Sequence, residues 1–418
     1  MRFFNTAKGE KEIFSPDRKN LGLYICGPTV YSDTHLGHAK SYVSFDVLKR
    51  WLQYRDYEIT HIQNFTDVSD ETAIGSHKLG LNELEFTKKY EEEFLGKMKL
   101  LSNTPATKYT RASEYVEQIA TETRKMLDSG EAYQTDEGIF LKIKGEEHGK
   151  LLRVDFEASL AEATSDVNSG PKESPHDTLL WGPPLEGGEV WEFEGLPPGR
   201  PGWHLECTLM SSSELDLPID IHWGGIDLIY PHHETEMILA ERIGLGNYCD
   251  FWMHNGLMED AEGKLSKSRG ERITLEEVFE DCPPAALRFY LLSHHYREFT
   301  PYSPEGLLEA CQEGERLGVN AVDCMIVDPT DPRDDEETAP LVSRFEEALD
   351  DESVLSSLPS GLSIENDKDQ QQFDLAVTYY EMNNLEDAKS ILNNLIKNSE
   401  DEGIKTASSN LLDKLNQN

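Results

Sequence analysis

Residues 21–67 read LGLYICGPTVYSDTHLGHAKSYVSFDVLKRWLQYRDYEITHIQNFTD. The run LGLYICG (21–27) is short, apolar and ends in glycine, the pattern of a buried strand. From about Gly37, the residues Val43, Val47, Leu48, Trp51 and Leu52 recur near helical spacing. EITHIQNFTD (58–67) then reads as a second strand. A strand, a helix and a strand within about 45 residues form a βαβ unit, so the sheet is expected to be parallel. The same stretch places a cysteine, Cys26, nine residues before a His-x-Gly-His.

Around this unit, residues 80–130 look helical. Residues 131–200, with the Gly- and Pro-rich SGPKESPHD and LPPGRPG, look like an insertion between two halves of a sheet. LPIDIHW and CDFWMHNGLM return to strand, and 284–320 to helix. The chain therefore divides into a catalytic-type α/β unit over 1–300, with its insertion at about 100–200, and a helical stem over 301–355. A linker at 356–372 and a helical hairpin over 373–418 follow. The hairpin resembles one tetratricopeptide unit, with Leu375, Ala376, Tyr379 and Tyr380 before an Asn383–Asn384 turn. One such unit cannot bury its own face, so it is expected to pack on the body or on a protein partner. IVDPTDPRDDEETAP (326–340) reads as an acidic loop.

The 418 residues carry 79 acidic against 39 basic side chains, a net charge of −40. Taken alone, that balance argues against a nucleic-acid partner, which usually meets a basic surface. A salt-rich cytoplasm or a small basic patch on an acidic body would reconcile the two. No run of about 18 apolar residues suggests a membrane span, and the first residues lack an apolar signal core. A cytoplasmic monomer is the expectation. Six scattered cysteines suit metal or core roles better than a disulfide framework.

Three motifs carry chemistry. In HLGH, His35, Gly37 and His38 sit where strand gives way to helix, and helix N-termini collect anions; the bland alternative is a pair of turn histidines. GKLSKSRG (263–270) places Lys264 and Lys267 at i and i+3 in a Gly-flanked loop suited to pyrophosphate. Its bland alternative is a solvated basic loop, conspicuous in so acidic a chain. The third is a metal set: Cys26, Cys207 from GWHLECTLM, and His232 and Glu236 from PHHETEMILAERIG. Pro231 suits a first helical position, and His232 and Glu236 then share one helix face. Two thiolates, an imidazole and a carboxylate suit zinc; His233 and Glu234 compete as ligands.

Together, HLGH, KLSKS, YICGPTVY, RPGWHLEC, GGIDLIYPHHETE and WMHNGLM resemble, in order and spacing, the class I aminoacyl-tRNA synthetases and, within them, the cysteinyl-tRNA synthetases. The resemblance covers about 20–300. It implies a Rossmann-type α/β catalytic domain with an inserted subdomain and an α-helical C-terminal region. It also implies L-cysteine, ATP with Mg2+, and tRNA(Cys) as substrates, and one Zn2+ held by Cys26, Cys207, His232 and Glu236. Thr66 and Trp203 match positions around the amino acid. Asp227 matches an adenosine contact, and Lys267 the ATP-contacting lysine of the signature loop. The sequence departs from the family at two places. Trp223 stands where a glycine is usual, which is expected to reshape the nucleotide edge of the pocket. The familiar pattern also stops after ALDD (348–351), leaving a shortened region for anticodon contacts. The mycothiol cysteine ligases share these signatures but use an amino-sugar acceptor, so a non-tRNA acceptor is one alternative. A non-catalytic binding paralogue is another.

Overall fold

The computed structural model describes residues 1–144, 147, 149–151, 172–174, 176–260, 263–264, 273–316 and 385–398, with the isolated positions 405, 408, 409 and 412. Lys267, the acidic loop at 326–340, the linker at 356–372 and the first half of the C-terminal hairpin lie outside the described residues.

A hairpin of β1 (Arg2–Asn5) and β2 (Glu10–Ile13) leads into β3 (Asn20–Ile25). Next come α1 (Leu36–Tyr54), β4 (Glu58–Phe65), α2 (Asp70–Leu79), α3 (Glu83–Leu100), β5 (Lys108–Arg111) and α4 (Val116–Ser129). Strands β6 (Ala132–Thr135), β7 (Gly138–Leu141), β8 (Thr178–Gly182) and β9 (Arg200–Pro201) make a separate antiparallel sheet. This is the inserted subdomain. The chain then returns through α5 (Trp203–Glu214), β10 (Ile219–Gly225), α6 (Glu234–Arg242) and β11 (Cys249–Asn255). A small sheet of β12 (Met258–Asp260), β13 (Gly263–Lys264) and β14 (Thr300–Pro301) is interleaved with α7 (Leu275–Asp281) and α8 (Pro284–Leu292). Helices α9 (Pro304–Arg316) and α10 (Leu385–Asn398) complete the described elements. Among the described residues, no helix is long and apolar enough to cross a membrane.

The central sheet has the order β11-β10-β3-β4-β5, and all its pairs are parallel. The expected βαβ unit is β3-α1-β4. The order reverses between β3 and β10, and the carboxyl ends of strands at such a reversal form the usual ligand crevice of open α/β sheets. The expectation of helix throughout 80–130 is corrected by β5. Its sequence, KYTR, has too few residues and too little apolar periodicity to announce a strand. Pairing with β4 makes it one, because an edge position needs only one partner.

Core packing divides between the two faces of the sheet. Leu21, Leu23 and Ile25 of β3 join Val43, Phe45 and Leu48 of α1, Leu287 and Leu291 of α8, and Trp223 in one buried cluster. Tyr24 and Cys26 point the other way, into a cluster with Cys207, Leu205 and Trp252. Asp46 of α1 is buried in the first region. It accepts hydrogen bonds from Arg288 Nη2 (2.6 Å), Arg50 Nε (2.8 Å) and the Thr104 N–H and hydroxyl (2.7 Å each). Burial pushes its carboxyl up, but Arg288 and Arg50 more than offset this, leaving it below the ordinary range. The paired charge ties α1 to α8 across the sheet face.

Candidate zinc and nucleotide site

Cys26 follows the last residue of β3 at the crevice. Its N–H bonds the Trp223 carbonyl at 3.1 Å, which locks β3 to β10 at their carboxyl ends. Gly27 comes next because a Cβ there would lie 1.5 Å from the Asn64 carbonyl oxygen. Cys207 reaches the same point from α5, and Glu236 from the first turn of α6. His232 belongs to a π-helical turn over Ile229–His233 that precedes α6. The regular helix thus begins at Glu234 rather than Pro231. The turn still brings His232 Nε2 to 3.2 Å from Glu236 Oε1.

The four donor atoms of Cys26, Cys207, His232 and Glu236 lie within 4.8 Å of one another, and all four residues are buried. A tetrahedral zinc with bonds of about 2.3 Å to sulfur and 2.0–2.1 Å to nitrogen and oxygen sets its donors apart by fixed edges. Those edges are about 3.8 Å for S–S, 3.5 Å for S–O and 3.3 Å for N–O. The corresponding distances are 3.9 Å between the two sulfurs, 3.7 Å from Cys26 Sγ to Glu236 Oε1, and 3.2 Å from His232 to Glu236. The donor set therefore fits a zinc ion in both chemistry and spacing. Burial holds His232 well below its usual pKa, which favours the neutral imidazole whose lone pair a metal could take. Burial also pushes Glu236 up to about 8 and Cys26 well above the thiol range, the latter helped by Cys207 and Glu236. A bound dication reverses that cost for anions gathered away from water.

Of the two competing ligands, Glu234 points away. Its carboxylate accepts the Lys150 and Leu151 N–H groups at 2.9 and 2.7 Å. His233 stays, with Nε2 3.2 Å from Cys26 Sγ. Together with His222 it forms a second candidate set, Cys26–His222–His233–Glu236, that shares two residues with the first. His233 Nδ1 lies 2.8 Å from His254 Nε2, and His254 Nδ1 lies 2.7 Å from the Thr6 hydroxyl. The sequence reading missed His222, His254 and Tyr248. Strand alternation was the available signal for His222: it sits in register between Tyr24 and Trp252, on the face opposite Trp223. Gly224 is required beside this cluster, since a Cβ there would lie 2.6 Å from His233 Cε1.

Trp203 lies on α5 one turn before Cys207. It is 41% exposed, and its ring stacks on His232 at 4.2 Å. Thr66 is buried just past β4, and its N–H bonds the Pro28 carbonyl at 3.2 Å. Asp227 is exposed in a short 3-10 turn at the carboxyl end of β10. His35 caps α1 and His38 lies in its first turn, with the two rings stacked 3.7 Å apart. A Cβ at Gly37 would press on the His35 ring at 3.1 Å. The Leu36 N–H bonds the Ile273 carbonyl at 3.1 Å, and His35 bridges Thr274. The chain leaving the GKLSKSRG segment is thereby fixed against HLGH. Lys264 ends β13, paired with Glu259 of β12.

Trp223 lies on the face of the sheet opposite the candidate metal set. It is 1% exposed on the apolar face, against Phe45 and Tyr296. Its Nε1 donates to Asn255 Oδ1 at 2.9 Å, and that oxygen also accepts from Ser41 of α1 at 2.8 Å.

Residues 13–312 match the family described as tRNA synthetases class I (C) catalytic domain. Over 319 residues the chain is 37% identical to the cysteine--tRNA ligase of Thermococcus onnurineus, covering 76% of this chain and 67% of that protein. The cysteine--tRNA ligase of Thermococcus kodakarensis is 37% identical, covering 73% and 64%. That of Dehalococcoides mccartyi is 39% identical, covering 76% and 70%. The chain thus spans about two thirds of the length of these relatives. Among solved structures, Mycobacterium tuberculosis methionyl-tRNA synthetase bound by methionyl-adenylate superposes with a TM-score of 0.53 at 14% identity, covering 93% of this chain and 88% of that one. At that identity the likeness concerns the fold.

Proposed function

From the premise that the chain belongs to the class I (C) tRNA synthetase family, we propose that it activates L-cysteine with ATP and transfers the cysteinyl group to tRNA(Cys). The observation that carries this reading is the buried Cys26–Cys207–His232–Glu236 set at the sheet's switch point, beside the HLGH helix start. Those four residues would hold zinc, which supplies a soft Lewis acid able to bind a thiolate in preference to a hydroxyl. Ordinary pocket contacts separate close analogues by only about 1–3 kcal/mol. A metal–sulfur bond exceeds that, so cysteine can be told from serine without a second, editing site.

The remaining residues position and neutralise. The cysteine carboxylate attacks the α-phosphorus of ATP and pyrophosphate leaves. A ribose hydroxyl at the end of the tRNA then attacks the activated carbonyl and AMP leaves. The nucleophile comes from the substrate, so the protein contributes orientation and charge rather than a covalent intermediate. His35 and His38, at a helix N-terminus, donate to phosphate oxygens as charge develops. Lys264 and Lys267 stabilise the departing pyrophosphate, with Mg2+ accompanying ATP. Asp227 faces the adenosine, and Thr66 and Trp203 wall the amino acid. The stacking of Trp203 on His232 supports that placement.

Cysteine-dependent ATP–pyrophosphate exchange, followed by transfer of labelled cysteine to tRNA(Cys) across salt concentrations, tests the reading. Exchange with transfer is expected. Exchange without transfer to tRNA would reassign the acceptor to a small amine, and no exchange would leave a binding protein.

A further inference from the structure

We propose that the Tyr248 hydroxyl, backed by Ser211, pins Glu236 as a one-oxygen ligand and so keeps a position on the zinc open for the substrate sulfur. This rests on the zinc and cysteine reading above. Tyr248 precedes β11 and is 4% exposed, and its hydroxyl donates to Glu236 Oε2 at 2.9 Å. Oε1 is left facing the other donors, 3.7 Å from Cys26 Sγ and 3.2 Å from His232 Nε2. Behind the phenol, Ser211 Oγ lies 2.6 Å from the Tyr248 oxygen. A hydroxyl has one proton. Once Tyr248 gives its proton to the carboxylate, the short contact is made by Ser211 donating to the phenol oxygen at 2.6 Å in preference to the Thr208 carbonyl at 3.3 Å, which sets the direction of the chain.

The neighbours of Glu236 make the phenol distinctive. Cys26, His222, His232 and His233 all come within 4 Å of its carboxylate, and each is itself a possible metal ligand. Tyr248 is not: a neutral phenol anchors the carboxylate without competing for the ion. Carboxylates bind cations with one oxygen or two. Without the anchor, Oε2 is free to swing onto the metal and take the place an incoming thiolate needs. Groups one shell out from a metal typically change affinity or activity by about 10–100-fold when removed. Tyr248 is a positioning residue in this scheme.

The test uses the full chain with Co2+ in place of zinc, comparing wild type, Tyr248→Phe and Ser211→Ala. Phenylalanine keeps the ring and removes only the hydroxyl. In the free Tyr248→Phe protein, the ligand-field bands are expected to weaken toward a five-coordinate pattern, with metal content still near one per chain. On titration with cysteine, the sulfur-to-cobalt band should rise at about tenfold higher cysteine than in wild type. Ser211→Ala should shift the titration in the same direction by less, and it carries the test if Tyr248→Phe does not fold. Bands and titrations identical to wild type in the folded variants would overturn the proposal. A wild-type cobalt protein that gives no thiolate band with cysteine would instead overturn the substrate reading, while the ligand-field comparison without cysteine still decides whether Tyr248 pins Glu236.

Discussion

Leu21, Leu23 and Ile25 leave β3 on one side of the central sheet, and Tyr24 and Cys26 on the other. On the first side, helices α1 and α8 close over an apolar core in which the buried carboxylate of Asp46 is met by two arginines and a threonine. On the second, α5 and α6 bring thiols, imidazoles and carboxylates together at the same depth. Three imidazoles there, those of His222, His232 and His233, are pushed well below their usual range, by burial first and then by neighbouring histidines: His254 beside His222, His204 beside His232, and His222 beside His233. The second side gathers four possible metal donors within 4.8 Å of one another, the arrangement on which the zinc proposal rests. The difference is between burial that closes an apolar core and burial that gathers metal-type donors.

The comparison breaks most sharply at the Asp46 pair. Arg288→Met should destabilise the fold by about 3 kcal/mol, because it removes the shorter of two charged hydrogen bonds to a buried carboxylate and leaves only Arg50 and Thr104 to hold it. The sign with pH follows from the depressed folded pKa of Asp46. Its contribution is present above the unfolded value of about 3.9 and is lost as pH falls through the lower folded value. The gap between wild type and variant in urea unfolding should therefore narrow below about pH 4; a constant gap would show that Asp46 is not the cause. Zinc content should be unchanged.

Trp223→Ala tests whether the indole belongs to the dry side. Loss of about 3 kcal/mol of stability is expected from the cavity left among Phe45, Tyr296 and Met253. The Michaelis constant for ATP should change little. A large rise in that constant at normal stability would return Trp223 to the nucleotide edge.

On the ligand side, Lys267→Ala should slow cysteine-dependent pyrophosphate exchange by roughly 100-fold, since it removes charge used mainly in the transition state. Cysteine affinity should be little altered; the reverse pattern would give the loop another role. A smaller effect is expected at the far end of the substrate. Residues 301–418 offer no basic or aromatic stripe for unstacked bases. This chain should therefore discriminate tRNA(Cys) from an altered-anticodon version by less than about tenfold, roughly 1.4 kcal/mol. Charging rates that differ by more would place an anticodon reader in the C-terminal region.

What the sequence disclosed follows the same division. The β3-α1-β4 unit was legible because its apolar periods are local, and the Cys26, Cys207, His232 and Glu236 set because each lies in a distinctive short motif. β5 was not, since KYTR becomes a strand only beside β4. Tyr248 and His222 were not, because their roles arise from strands and helices meeting over long separations. The burial of Trp223 was not legible either, because its neighbours in sequence are candidate site residues while alternation along β10 turns its side chain to the apolar face.

Metal content of the freshly purified protein tests the central claim most directly. Mass-spectrometric metal analysis should give about one zinc per chain, lost in Cys207→Ser and retained in Cys311→Ser, whose sulfur sits apart from the site, 3.4 Å from Cys282. A metal-free wild-type protein that still exchanges pyrophosphate in response to cysteine would contradict it.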